Sequence, residues 1–244
     1  MDIQFPPITD CLNDAMNMHR VQGSSMPRDG APIHYIWLHV TRDGIADNRS
    51  EMESAAMLLN DWLNVVDESA ALGAKWMIVY LDAPIDVGSD VWKICAWGQE
   101  VHDIRVGLHI SSRYLKEVNT ASLNKLQKDK TFVIVDESAL ETMSFLRDEG
   151  YTLCHANIGD EDRKLPCTHT DSIVCAGADG VMFCCGLVMG QESYRLGNVR
   201  SDTVDHAMQN HATLEPIGMN REEHHGACDG CPPIMARRFT ELQS

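Results

Sequence analysis

Hydrophobic positions fall into two alternating rhythms over the first two-thirds of the chain. Ile33 to Val40 (IHYIWLHV), after Pro32, is rich in β-branched and aromatic residues and predicts a strand. Ser50 and Glu53 have capping-box spacing, and Met52, Ala56, Leu59, Leu63, Val66 and Ala70 form one helical stripe closed by Gly73. Trp76 to Leu81 (WMIVYL) is a continuous apolar run, the mark of a strand covered on both faces. Ser89 caps a second predicted helix through His102, and Arg105 to Ile110 is a third strand. A short helix near Ala121 to Lys128 precedes a fourth strand, Phe132 to Val135. Ser138 and Glu141 suggest another capped helix ending at Gly150, and Leu153 to Ala156 a fifth strand.

Strands and helices that alternate at this spacing predict βαβ units. The expected fold is α/β: a parallel sheet, open or curved into a partial (β/α) barrel, with functional residues at the C-terminal ends of its strands. The rhythm changes near residue 157, where Asn157 to Lys164 reads as a connector. Ile173 to Cys175 and Val181 to Cys185 then flank Gly177-Ala178-Asp179-Gly180 and predict a β-hairpin. Leu196-Gly197-Asn198-Val199 reads as a turn, Ser201 as the cap of a short helix to about His211, and the remainder as loop. These features divide the chain into residues 1–160, the barrel, and residues 161–244, a small cysteine-rich hairpin module.

Composition narrows the function classes. The chain has 244 residues with 36 acidic and 20 basic side chains, a net charge of -16. Such a surface repels phosphate backbones and anionic lipid, so neither nucleic acid nor membrane is an expected partner. The longest strongly apolar run, Trp76 to Leu81, is far short of the about 20 residues of a membrane span, and Met1 to Pro7 has no signal-peptide pattern. A cytoplasmic location is expected.

Of nine cysteines, Cys11, Cys95 and Cys154 are scattered and read as buried or loose thiols. The other six, Cys167, Cys175, Cys184, Cys185, Cys228 and Cys231, are grouped in the C-terminal third. In a cytosolic chain such a cluster reads as metal or redox chemistry. Cys228-x-x-Cys231 places two thiolates on one tight turn, a geometry shared by zinc and iron–sulfur sites, and Pro232 follows as it does at many iron–sulfur ligands. No thioredoxin-like context surrounds the pair, which argues against a redox dithiol. Successive residues of a pleated strand face opposite sides, so only one of Cys184 and Cys185 is expected to face a metal.

The spacing Cys167-x12-Gly180-x4-Cys185, followed by Leu-Gly-Asn-Val and a distant Cys-x-x-Cys-Pro, resembles the SPASM and twitch domains. These auxiliary iron–sulfur modules lie at the C-terminus of many radical S-adenosylmethionine (SAM) enzymes. The resemblance covers roughly residues 165–235. It implies one [4Fe-4S] cluster held by Cys167, Cys185, Cys228 and Cys231, with Cys175 and Cys184 as the remaining thiols; zinc is the alternative.

The N-terminal repeats resemble the partial barrel of the same superfamily, with a departure. The family's Cys-x-x-x-Cys-x-x-Cys loop after the first strand is here Thr41 to Ser50, without a cysteine, and Tyr80-Leu81-Asp82-Ala83-Pro84 stands where Gly-Gly-Glu-Pro is expected. Without three thiolates no SAM-cleaving cluster is held. The reading is a degenerate radical SAM scaffold that keeps an auxiliary cluster and binds, supports or passes electrons to a protein or peptide partner. It is not expected to be an active radical SAM enzyme. The alternatives are an enzyme using the barrel cavity and a structural zinc protein. His39 and His109 are read as hydrogen-bonded core histidines, Asp82 and Asp136 as turn or cap residues at strand ends, and His224-His225 as an exposed loop pair. No catalytic residue is assigned.

Overall fold

The computed structural model describes residues 33–40, 57–82, 89–117, 120–157, 172–211 and 229–243. Eight strands form one sheet in the order β5-β4-β3-β2-β1-β6-β7-β8. They are β1 (Tyr35–His39), β2 (Trp76–Leu81), β3 (Arg105–Ile110), β4 (Thr131–Val135), β5 (Thr152–His155), β6 (Ile173–Ala176), β7 (Val181–Phe183) and β8 (Arg195–Asn198). Strands β1 to β5 pair in parallel, and β6 extends the parallel sheet on the far side of β1. Strands β7 and β8 close the edge antiparallel. The fold is a mixed α/β, partial barrel-like sheet, as the alternation of elements predicts, and the hairpin β6–β7 is built into that same sheet. The described elements belong to one unit, Ala31–Ser244.

Helices α1 (Leu59–Ala71) and α2 (Asp90–His102) pack against each other, and α2 packs on β3. Ser89 Oγ accepts the Val91 N–H at the start of α2. Met77 of β2 points toward this side and meets Gly98 of α2. Alternation sends Trp76, Ile78 and Tyr80 to the other face. There a C-terminal helix packs on β1, β2 and β5. We label it α6 (Pro232–Gln243); between α2 and it lie α3 (Thr120–Leu123), α4 (Phe145–Asp148) and α5 (Val204–His211). Phe239 of α6 meets Trp76 and Phe132, and Arg238 donates to the His155 carbonyl at 2.6 Å.

Several predicted elements differ. Helix α1 begins at Leu59, with extended backbone at Leu58, whose N–H is accepted by Asp61; Ser50 and Glu53 lie outside the described residues. The predicted helix 121–128 is confined to α3. The Ser138/Glu141 capping box does not form; a 3-10 turn at Glu137–Ala139 and the short α4 take that stretch. Leu196 to Asn198 belongs to strand β8, because the Asn-centred turn signal acts one step later: the N–H groups of Ser201 and Asp202 both bond the Asn198 carbonyl. The C-terminal segment read as loop is the helix α6. Its Pro232 and Pro233 sit in the first turn, where a missing N–H costs nothing.

Candidate functional site

Three strands bring three rings into one row at the C-terminal end of the sheet. His39 of β1 pairs in register with Tyr80 of β2, and Tyr80 with His109 of β3. In-register neighbours in a parallel sheet share a face, so the rings touch. His39 and Tyr80 are 5.0 Å apart between centroids, and so are Tyr80 and His109. Trp37, two residues before His39 on the same face, lies 5.5 Å from it. These four side chains line a cavity of about 330 Å³ together with Ser111, Asp136, Gly186 and Asp229. Ser111 and Asp136 directly follow β3 and β4, where the architecture places its functional side chains.

The histidines are not the satisfied core residues that the sequence suggests. Among the described residues, His39 Nε2, His109 Nδ1 and Trp37 Nε1 are buried with no hydrogen-bond partner. Burial lowers the pKa of both histidines from the ordinary 6.5 to about 4, with the neighbouring His109 adding to the effect at His39 and Asp136 opposing it at His109. Both rings are therefore neutral at pH 7. Burial also raises the Tyr80 hydroxyl, helped by the charges of Asp82 and Asp136 and opposed by Arg113. Of the two strand-end carboxylates, Asp136 lines the cavity, and the charge of Asp82 reaches Tyr80 in its wall. Sequence reasoning missed Ser111 and Asp229. The first was within reach of the strand-end rule; the second is hidden inside the Cys-x-x-Cys turn.

A pH dependence follows. The unfolded histidines bind a proton near 6.5 and the folded ones only near 4, so the unfolded state takes up more protons between these values. Stability is expected to be full above pH 6.5 and to fall progressively as pH drops from about 6.5 toward about 4. Melting temperature against pH for the wild type and His109→Gln checks this; a variant profile as steep as the wild type counts against it.

The second constellation is the thiols. Cys175, Cys184, Cys185 and Cys231 are all buried. Burial pushes the Cys175 thiol well above its ordinary range, and the charges of Cys185, Cys184 and Cys231 all reach it and add to that effect. The hairpin and the residue before α6 thus bring four soft donors into one neighbourhood, the donor chemistry of an iron–sulfur or zinc centre. Cys185 and Cys231 fit this donor type. Their expected co-ligands Cys167 and Cys228, like His224 and His225, lie outside the described residues, as do Cys11 and the Thr41 to Ser50 loop. Among the described residues alone, no group of three or more His, Cys, Asp or Glu is arranged to hold a metal ion. Cys95 and Cys154 lie apart, buried in α2 and β5. Desolvation raises both thiols, that of Cys154 to about 11.

Two glycines tie the thiols to the cavity. A Cβ on Gly186, next to Cys185, would lie 2.9 Å from Trp37 Cη2. A Cβ on Gly230, next to Cys231, would overlap His109 Nδ1. Each thiol-bearing segment therefore presents bare backbone to one ring of the cavity wall.

The cavity thus lies at the strand C-termini of a mixed α/β, partial barrel-like sheet that a hairpin extends beyond β1. In fold the chain is similar to the crystal structure of selenomethionine BtrN in an open conformation, with a TM-score of 0.51, 11% identity, and coverage of 84% of this chain and 94% of that one. No family model matches the chain, and no curated protein matches it.

Proposed function

We propose that this chain is an iron–sulfur protein built on a radical-SAM-like scaffold without the SAM-cleaving cluster. Residues 1–160 supply the barrel, and residues 161–244 serve as the cluster-binding module. Cys167, Cys185, Cys228 and Cys231 hold one [4Fe-4S] cluster. The observation that supports this reading is the convergence of the hairpin thiols and Cys231 around Cys175. When bound, such a cluster supplies one-electron redox chemistry. The chain's own residues keep Cys185 and Cys231 buried, and the module acts as an accessory or electron-transfer unit for a protein or peptide partner. No described helix is long and apolar enough to cross a membrane; the proposed setting is the reducing cytoplasm.

Iron and acid-labile sulfide after anaerobic purification test the proposal. One cluster per chain is expected. Cys167→Ala, Cys185→Ala, Cys228→Ala and Cys231→Ala should each remove most of the iron, and Cys184→Ala should have a smaller effect. A colourless protein carrying stoichiometric zinc would replace the cluster by a closed structural site. Loss of iron in Cys184→Ala but not in Cys185→Ala would shift the ligand register by one.

A second reading, an enzyme that works in the cavity, is favoured by the unpaired nitrogens of Trp37, His39 and His109.

A further inference from the structure

We propose that the indole N–H of Trp37 is held for a sulfur of the bound iron–sulfur cluster and tunes that cluster's reduction potential. The inference rests on the cluster reading above and adds to it a residue that no thiol spacing indicates. Trp37 is the central residue of β1 and is 3% exposed. Among the described residues its Nε1 has no hydrogen-bond partner. An indole N–H only donates, whereas a neutral imidazole presents a donor or an acceptor at a given nitrogen according to its tautomer. The unpartnered nitrogens of His39 and His109 therefore adapt to many neighbours, while Trp37 needs an acceptor. A buried donor left without one costs stability, and a fold keeps such a group where something else supplies the acceptor.

Two contacts tie Trp37 to the thiol segments. In the β1–β6 pair it stands in register with Cys175, so both side chains share one face of the sheet. The charges of Cys184, Cys185 and Cys231 all reach Cys175. On its benzo edge Trp37 meets Gly186, the residue after Cys185: a Cβ there would lie 2.9 Å from Cη2 and Cζ3. The missing side chain lets the backbone of that turn rest on the ring. Yet none of the described thiols accepts the indole N–H. The acceptor must then come with the centre. Zinc brings none of its own, since a Cys₄ site is filled by thiolates alone. An iron–sulfur cluster brings inorganic sulfide, and hydrogen bonds to cluster sulfurs are a lever on the potential. Donation to a sulfur stabilises the reduced, more negative state.

The midpoint potential of the anaerobically purified full chain, measured by voltammetry, tests the inference, with the electrode supplying the one electron of the couple. Trp37→Phe keeps an aromatic ring in place and removes the N–H. It is expected to retain its iron and acid-labile sulfide and to shift the couple about tenfold toward the oxidised form, about 59 mV more negative. Trp37→His restores an N–H and should recover part of that shift, which a role in packing alone would not do. Should Trp37→Phe not fold, wild-type protein isotope-labelled at the indole nitrogens decides: one of its five indole N–H resonances should move on cluster loading. An unchanged potential in Trp37→Phe, equal shifts in Trp37→Phe and Trp37→His, or five unmoved indole resonances would each overturn the inference and leave the cluster standing. Wild-type protein without iron and sulfide, or with stoichiometric zinc in their place, would overturn the inference and the cluster reading together.

Discussion

Replacing Phe239 by alanine is expected to destabilise the protein by about 3–5 kcal/mol, in the range of buried aromatic truncations. Phe239 is 1% exposed and is the inward anchor of α6. Its ring lies 4.8 Å from Phe132 of β4 and 5.7 Å from Trp76 of β2, and those two rings are themselves 6.2 Å apart. Truncation removes one member of a three-ring cluster and leaves a cavity between helix and sheet that rigid strands cannot collapse to fill. Urea unfolding checks the magnitude, with Phe239→Leu as a control expected to lose about half as much. A loss below about 1 kcal/mol would show that α6 is not docked on this face. Because Cys231 immediately precedes α6 and its carbonyl accepts the N–H groups of Ile234 and Met235, undocking would also free the thiol turn.

The sheet was legible because its strands obey one simple physics. A strand covered on both faces must be apolar throughout, and WMIVYL and TFVIV announce themselves for that reason. Helix α2 was equally plain, since Ser89 does cap it. The misreadings share a cause: local signals outweighed by tertiary contacts. Ser138 offers a capping box, but 138–144 tightens into turns. Pro232 and Pro233 look like breakers, yet they open α6, whose reason to exist is Phe239 meeting rings far away in sequence.

The site divides in the same way. That chemistry should gather at strand C-termini was readable. That His39, Tyr80 and His109 fall in one register was not, because register between distant strands is set by the whole sheet. The cysteine spacing pointed to the thiol module, and the structure adds what spacing could not hold: Gly186 and Gly230 bring that module against the cavity wall.

Gly230→Ala is the substitution that tests this junction, and its expected cost is large for two separable reasons. Gly230 has φ +76°, a left-handed conformation that costs a residue with a Cβ about 1–2 kcal/mol. The added methyl would also overlap His109 Nδ1 and lie 2.7 Å from its Cε1. His109 cannot retreat easily, since its ring is wedged against Tyr80 and 6% exposed, so overpacking adds about 1–3 kcal/mol. The Gly230 N–H also bonds the Ala156 carbonyl at 3.0 Å, and a displaced turn strains that tie to the end of β5. A double-mutant cycle tells the two costs apart. Adding His109→Ala to Gly230→Ala should recover the overpacking part and leave about 1–2 kcal/mol of backbone strain beyond the cost of His109→Ala alone. Additive losses, measured by urea unfolding, would mean that the Cys-x-x-Cys turn does not rest on His109, and that cavity and thiol module are mechanically independent.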